Sequence, residues 1–599
     1  MSSRKIKREE PGIAALLPIA FILFVVPMIV YMGLTKLSPA ESAIWGNDVD
    51  YPDFFDYIKS QWFMVASVIA LIVFVGYLAA KKLEIKKSFI YIPTGSYALL
   101  IVLYTIFSTN RDIALKGFMA RYEGMFVLLC YLACMVIVMN LVESEKQVQF
   151  LMKALIASAL VIGLIGLFQL FKLDLFRSEF GKRLIIPAKY YGYVENVDFR
   201  FEESYIYSTL TNPNYVGSYM VMLIPIAVTI LIYVKQIWLK AGMAALILIF
   251  TANMFGSRSR AGLVGVIVAV FLGIIVLRKY IFKKKVIFLG ITAAAIAAFL
   301  IINVSLNGLL TNRIVNEFKI LFSDDAQFYD LKDITFEGNK VSIVGDTETL
   351  NIVLNGNLLN FYDTNGNLLD TNQTTNDNNE MYVSFIDENY KGYNITIKDS
   401  LLVLNQKNVT IEFWLHEGGI SLIGNNKKLV NQINKAPFIG FEGKERLGSA
   451  RGYIWSRSIP MLKNSVIFGY GPDTFAVEFP QEDYIGKIRA YGTPRMIVDK
   501  PHNMYLQIAV NTGVLSLLAF LTICGAYIIE SIRIYFRKLD NSFACLAGAG
   551  IFLGICGYLI AAVFNDSIVS IAPVFWILLG TGFACNRIYS KQSEKARKA

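Results

Sequence analysis

The sequence predicts an all-α polytopic membrane protein of about 12 transmembrane helices, with an inserted extracytoplasmic all-β domain. Three observations predict it. Of the 599 residues, 55% are hydrophobic, and the mean hydropathy is +0.49. Apolar runs approaching the roughly 20 residues that a spanning helix requires recur along the chain. One polar region of alternating pattern, between about 303 and 500, interrupts them.

The apolar segments centre near 13–33, 61–80, 88–107, 124–142, 153–171, 214–234, 241–255, 261–277, 286–304, 508–529, 543–564 and 571–586. The first follows a basic start, "SRKIKREEP", but is too long for a secretory leader and has no small-residue cleavage site after it. It reads as a retained anchor. Orientation follows from the loops. With twelve spans, "KKLEIKK", "KQIWLK", "RKYIFKKK", "RIYFRK" and the tail "KQSEKARKA" share one side with the amino terminus. The acidic loop "WGNDVDYPDFFDY" falls on the other. Basic loops stay cytoplasmic, so both termini are expected inside. The turn "GSRSRAG" between 241–255 and 261–277 faces outward in this scheme and breaks the rule with Arg258 and Arg260. Arginine at membrane depth is costly unless it faces a cavity or a partner.

The domain division is 1–304 for nine spans, 305–500 for the extracytoplasmic region, and 501–599 for three spans and a basic tail. Within the outer region, about 325–434 alternates apolar and polar residues in "KVSIVG", "LNIVLNG", "YNITIK" and "VTIEFWL". "NGN" turns begin at Asn355 and Asn365, a strong hairpin signal. A small β-sandwich is expected here, one that buries its own apolar faces and is separable from the membrane part. Its aromatic residues and His416 are read as structural. The membrane-proximal part spans 435–500.

Composition also excludes classes of function. The net charge of +11 is placed by the short cytoplasmic loops and does not indicate nucleic acid. All six cysteines lie in apolar segments, which argues against a disulfide framework or a zinc cluster. Cys130 and Cys134 share a helix face and read as packing residues.

The expected outer face collects a particular chemistry. It holds Arg121 in "RYEG", Asn212 and Asn214 around Pro213, Arg258 and Arg260, Arg451 in "GSARGYIW", and His502 and Asn503 in "KPHNMYL". Arginine carries a planar fork of donors that matches phosphate and keeps its charge. Histidine can exchange a proton near neutrality. Taken singly, each arginine reads as a snorkelling interface anchor and the histidine as a helix cap. Together they suit a transfer whose leaving group is a phosphate or diphosphate.

The stretches "TNPNYVGSYMVMLIPIA", "GSRSRAGLVG", "ARGYIWSRSIPMLKNSVIFGYGPDTF" and "PHNMYLQIAVNTGVLSLLAFL" resemble the O-antigen ligase and polymerase superfamily of membrane glycosyltransferases, in order and layout. The β module departs from the shorter, largely helical outer loop of most members. The resemblance implies transfer of a glycan from a polyprenyl diphosphate carrier to a hydroxyl of a glycan, wall polymer or surface protein. It implies no cofactor and no metal, and places the site outside the bacterial cytoplasmic membrane. His502 is implied as the base, with Arg451 and Arg258 or Arg260 on the diphosphate. Arg121, Asn212, Asn214 and Asn503 are added as substrate contacts.

Two rivals are weighed against this. Asp48 and Asp50 form an acidic pair of the kind that metal-dependent membrane glycosyltransferases carry after the first span. A transporter or flippase of the same lipid-linked sugars would require inverted repeats or paired broken spans. No such symmetry is visible.

Overall fold

The computed structural model describes residues 11–598 except 47–49, 200, 202–203, 284, 306, 309–310, 313–314, 316–330, 357 and 538. Most of it is helical. Among the described residues, six helices are long and apolar enough to cross a membrane: α3 (Tyr57–Ala79), α7 (Glu145–Leu170), α9 (Pro213–Tyr233), α10 (Ile237–Gly256), α18 (Gly513–Tyr535) and α19 (Phe543–Ala561). Shorter apolar helices cover Ile13–Met28, α4 (Tyr91–Phe107), α6 (Met125–Leu141), α11 (Arg260–Val276) and Thr292–Ser305. The last helix is α20 (Ala572–Lys598).

The first apolar segment ends at Met28, earlier than expected. Its core helix α1 (Leu17–Phe24) passes into one short turn, Val26–Met28, that contains Pro27. Proline donates no backbone hydrogen bond and kinks or breaks a regular helix. The chain then extends, and β1 (Gly33–Thr35) pairs antiparallel with β2 (Tyr51–Asp53) in the first loop.

At the centre, α9 packs along α19, which is almost wholly buried. Gly550, Gly554 and Gly557 line the contact. A Cβ on Gly554 would fall 2.6 Å from the Met222 carbonyl oxygen, so only glycine admits this backbone approach. The close packing fixes the end of α19 and the turn that follows it.

The polar region forms two antiparallel meanders. One runs β3-β4-β5-β6 from Asp333 to Tyr362; the other runs β7 (Thr371–Thr375) to β13 (Leu429–Val430) in sequence order. Register sets the core. In β10 (Leu401–Gln406), Leu402 and Leu404 face inward, and Leu404 stands opposite Ile395 and Ile411 on its two neighbours. Gly356 and Gly366 take φ of 60° and 84° in the two "NGN" turns, the left-handed conformations that tight hairpins require.

The sandwich does not close on its own residues. Helix α16 (Tyr484–Tyr491), from the membrane-proximal part, inserts Tyr484, Ile485 and Ile488 into the same core. Arg489 Nε donates to the Leu331 carbonyl at 2.7 Å, and Arg495 pairs with Glu412. This corrects the expectation that the module buries its own apolar faces: alternation within the strands cannot reveal a face that a distant helix covers.

Candidate functional site

His502 lies just ahead of α17 (Met504–Asn511). Asn503 caps that helix, its Oδ1 accepting from the Tyr505 and Leu506 amides at 2.9 and 3.0 Å. His502 itself has φ of 49°, and this turn directs its ring across to the segment after α19. There His502 Nδ1 stands 3.1 Å from Asp566 Oδ2. The carboxylate is buried, whereas 31% of the imidazole side chain is exposed. A carboxylate can only accept, so it favours the proton on Nδ1 and leaves the lone pair on Nε2. Burial works against an ionised Asp566, but the charges of His502, Lys500 and Arg121 outweigh it and hold its pKa below the usual carboxylate value.

The two residues before Asp566 each hold another part of the site. The Phe564 carbonyl accepts from Arg451 Nη2 at 3.0 Å. Asn565 Nδ2 donates to the Asn214 carbonyl at 3.3 Å and to Ser218 Oγ at 2.8 Å. Thus Phe564, Asn565 and Asp566 join Arg451, the Asn214 turn and His502. Sequence reasoning missed this segment. The available signal was an Asn-Asp-Ser triplet in a short loop between two apolar spans.

Arg451 rises from an irregular helix start. Within α14 (Leu447–Met461), Gly448, Ser449 and Ala450 have φ between 61° and 65°. The turn lets the Gly448 carbonyl accept from Arg451 Nη1 at 2.6 Å. One turn on, Trp455 Nε1 donates to the Pro501 carbonyl at 2.9 Å, tying this helix to the residue beside His502.

The remaining sites of the sequence reading divide. Asn212 is a helix cap, accepting from the Asn214 amide at 2.9 Å. The Asn214 carbonyl also receives Ser259 Oγ at 3.5 Å, which brings the Ser-Arg turn against this one. Arg258, at φ of 55°, places its guanidinium 4.1 Å from the Tyr205 ring centroid and bonds Ser204 Oγ at 3.1 Å. Arg260 is exposed at the start of α11. Arg121 sits inside the protein, 1% exposed and paired with the buried Asp473. Among the described residues, its Nε and Nη1 have no hydrogen-bond partner. Arg121 is a buried neighbour of the His502 region. Asp473, from the "GYGPDTF" block, takes the guanidinium. Asp473 also accepts from the Phe118 and Glu123 amides at 2.7 and 3.2 Å.

Further buried polar groups brace the same region. Glu123 accepts from Tyr131 at 2.8 Å, Ser567 at 2.7 Å and Gln507 at 3.1 Å. Burial, then the nearby Asp473, push its carboxyl up to about 7. Asp56 accepts from Ser570 at 2.5 Å and Thr211 at 2.8 Å, which ties the first loop to the α9 turn. The buried Lys59 bonds the Thr209 carbonyl and Ser570. Lys500 lies 3.3 Å from Asp499, close to His502. Of the acidic pair, Asp48 is outside the described residues and Asp50 is exposed.

No curated protein and no solved structure matches the chain. Residues 413–521, a segment that holds Arg451, Asp473, His502 and Asn503, match the family model described as O-antigen ligase, and over this segment the chain is similar to that family of membrane glycosyltransferases.

Proposed function

We propose that this protein transfers a glycan from a polyprenyl diphosphate donor to an acceptor hydroxyl, at the outer face of a bacterial cytoplasmic membrane. The observation that carries the proposal is the His502–Asp566 contact beside Arg451, inside the segment similar to O-antigen ligases. His502 Nε2 takes the proton from the acceptor hydroxyl as its oxygen attacks the anomeric carbon. The bond to the diphosphate breaks with its electrons, and the leaving group gains charge. Asp566 orients the imidazole and stabilises its protonated form.

Arg451 is the first candidate for the diphosphate, with Arg258 or Arg260 as the second. Fixed cations beside a developing phosphate charge lower the barrier without reorganisation. Direct attack inverts the anomeric configuration and uses neither metal nor cofactor. The roles of Arg121, Asn212 and Asn503 change accordingly: Arg121 supports the field of the site, and the two asparagines shape its walls by capping.

The test is transfer by purified His502→Ala in lipid discs, with donor binding measured separately. A general base contributes about 10²–10⁴-fold, so transfer should fall by that much while donor binding persists. Wild-type transfer by a folded His502→Ala protein would refute the assignment. Chelator-sensitive transfer in the wild type would favour the Asp48–Asp50 reading.

A further inference from the structure

We infer that the segment from Phe171 to Tyr193 is a surface-lying membrane anchor whose partner is the lipid headgroup region of the leaflet at the His502 end of the helices.

The segment follows α7 and is folded, with a core of its own. Phe176, Ile185 and Val194 pack with Tyr207, and against Phe54 and Phe55 from the first loop. Its other face is bare. Phe171 is 70% exposed, Leu173 63%, Phe180 67%, Leu184 56% and Tyr193 65%. Within α8 (Glu179–Ile185), Gly181 and Ile185 are buried while Phe180 and Leu184, also four apart, form an exposed stripe. Residues four apart lie on one helix face, so this is a built surface and not scattered exposure.

Two observations name the occupant. The first is continuity: Leu160, Leu164 and Phe168 form an exposed apolar row on α7 at helical spacing, and Phe171 extends it directly into the segment. An apolar row on a helix of spanning length and composition faces lipid, and the bare face continues that surface. The second is charge. Lys172, Arg177, Lys182, Arg183 and Lys189 outnumber Asp174 and Glu179 here. Aromatic and aliphatic residues on one face, bordered by basic ones, suit a helix lying at the headgroup boundary with its apolar side about 5–10 Å deep. Anionic lipid strengthens such binding.

The anchor has a consequence that rests on the proposed function. The same loop continues to Ser204 and Tyr205, which hold Arg258. Seating the segment on the headgroups sets the height of Arg258 relative to the phosphates of a lipid-linked donor.

The test uses the full chain in lipid discs with nitroxide labels at Phe180→Cys and Leu184→Cys. Asn365→Cys, in an exposed sandwich turn, is the aqueous reference. Collision with oxygen reports lipid, and collision with a nickel chelate reports water. Both labels should favour oxygen over nickel where the reference favours nickel. Anionic lipid should deepen them, and Lys172→Gln with Lys189→Gln should remove that increment. Nickel-favouring labels at both positions would overturn the inference. So would labels shielded from both reagents, which would mean that protein covers the face. None of these readings depends on transfer, so a failed anchor and a failed glycosyltransferase assignment are told apart.

Discussion

The β-sandwich and the region around His502 are built in opposite ways. The sandwich core is apolar, with Leu402, Leu404, Ile411 and Phe413 buried in alternating register. The His502 region buries Asp56, Lys59, Arg121, Glu123, Asp473 and Asp566. Apolar burial stabilises at about 25 cal/mol per Å² with little demand on direction. Buried charge costs free energy unless each group meets a partner, and it punishes small displacements. The difference supports reading the sandwich as scaffold and the His502 region as the proposed site.

The largest expected effect lies in the His502 region. Asp566→Asn keeps the shape of the side chain but removes its charge and can stabilise the wrong imidazole tautomer. Transfer should drop about 10²–10⁴-fold, and thermal stability should fall as well, because the fold favours the ionised carboxylate that the substitution removes. Because Asp566 acts through His502, the double variant Asp566→Asn/His502→Ala should be no slower than His502→Ala alone. Additive losses would show that the two act separately.

The next effect lies in the sandwich. Ile488 is 0% exposed in its core although it belongs to α16, outside the strands. Ile488→Ala should destabilise the sandwich by about 2–5 kcal/mol, as core truncations to alanine do. Limited proteolysis and thermal melts monitor it. If cleavage in the sandwich strands were unchanged, α16 would be a neighbour of the core and not part of it. Excision of about 325–434 should likewise leave Tyr484, Ile485 and Ile488 bare and lower the yield of folded protein.

These two regions were also unequally legible in the sequence. Alternation and the "NGN" turns located the strands, because a sheet writes its pattern locally with a period of two. The apolar runs located the helices by their length, which is also a local signal. His502 and Arg451 were singled out through their motifs. Asp566 was not, since its link to His502 joins the starts and ends of separate helices and leaves no local pattern. Arg121 was read as a substrate contact on the outer face, and the structure buries it. Its partner, Asp473, lies in another motif, and sequence spacing does not report that pairing.

A smaller effect separates the regions by pH. Glu123 has its carboxyl raised to about 7 in the fold, against an ordinary value of 4.5. Between these values the folded state binds more protons than the unfolded one, so stability falls as pH rises through that window. Asp56, also raised to about 7 by burial and then by Asp53, contributes in the same direction. Glu123→Gln should therefore show a shallower loss of thermal stability between pH 4.5 and 7 than the wild type. Parallel curves would mean that Glu123 titrates alike in both states.

The smallest effect concerns Asn503, where scaffold and chemistry meet in one residue. Its Oδ1 is committed to the Tyr505 and Leu506 amides, the donors that an α-helix leaves open at its start. Asn503→Ala removes the cap and should cost about 1 kcal/mol. It should also slow transfer modestly, because His502 is the residue immediately before the cap. Serine caps nearly as well, so Asn503→Ser should restore the melting temperature. If capping is its whole contribution, transfer recovers with it. Restored stability without restored transfer would instead assign the Asn503 side chain to the substrate, moving it from scaffold to chemistry.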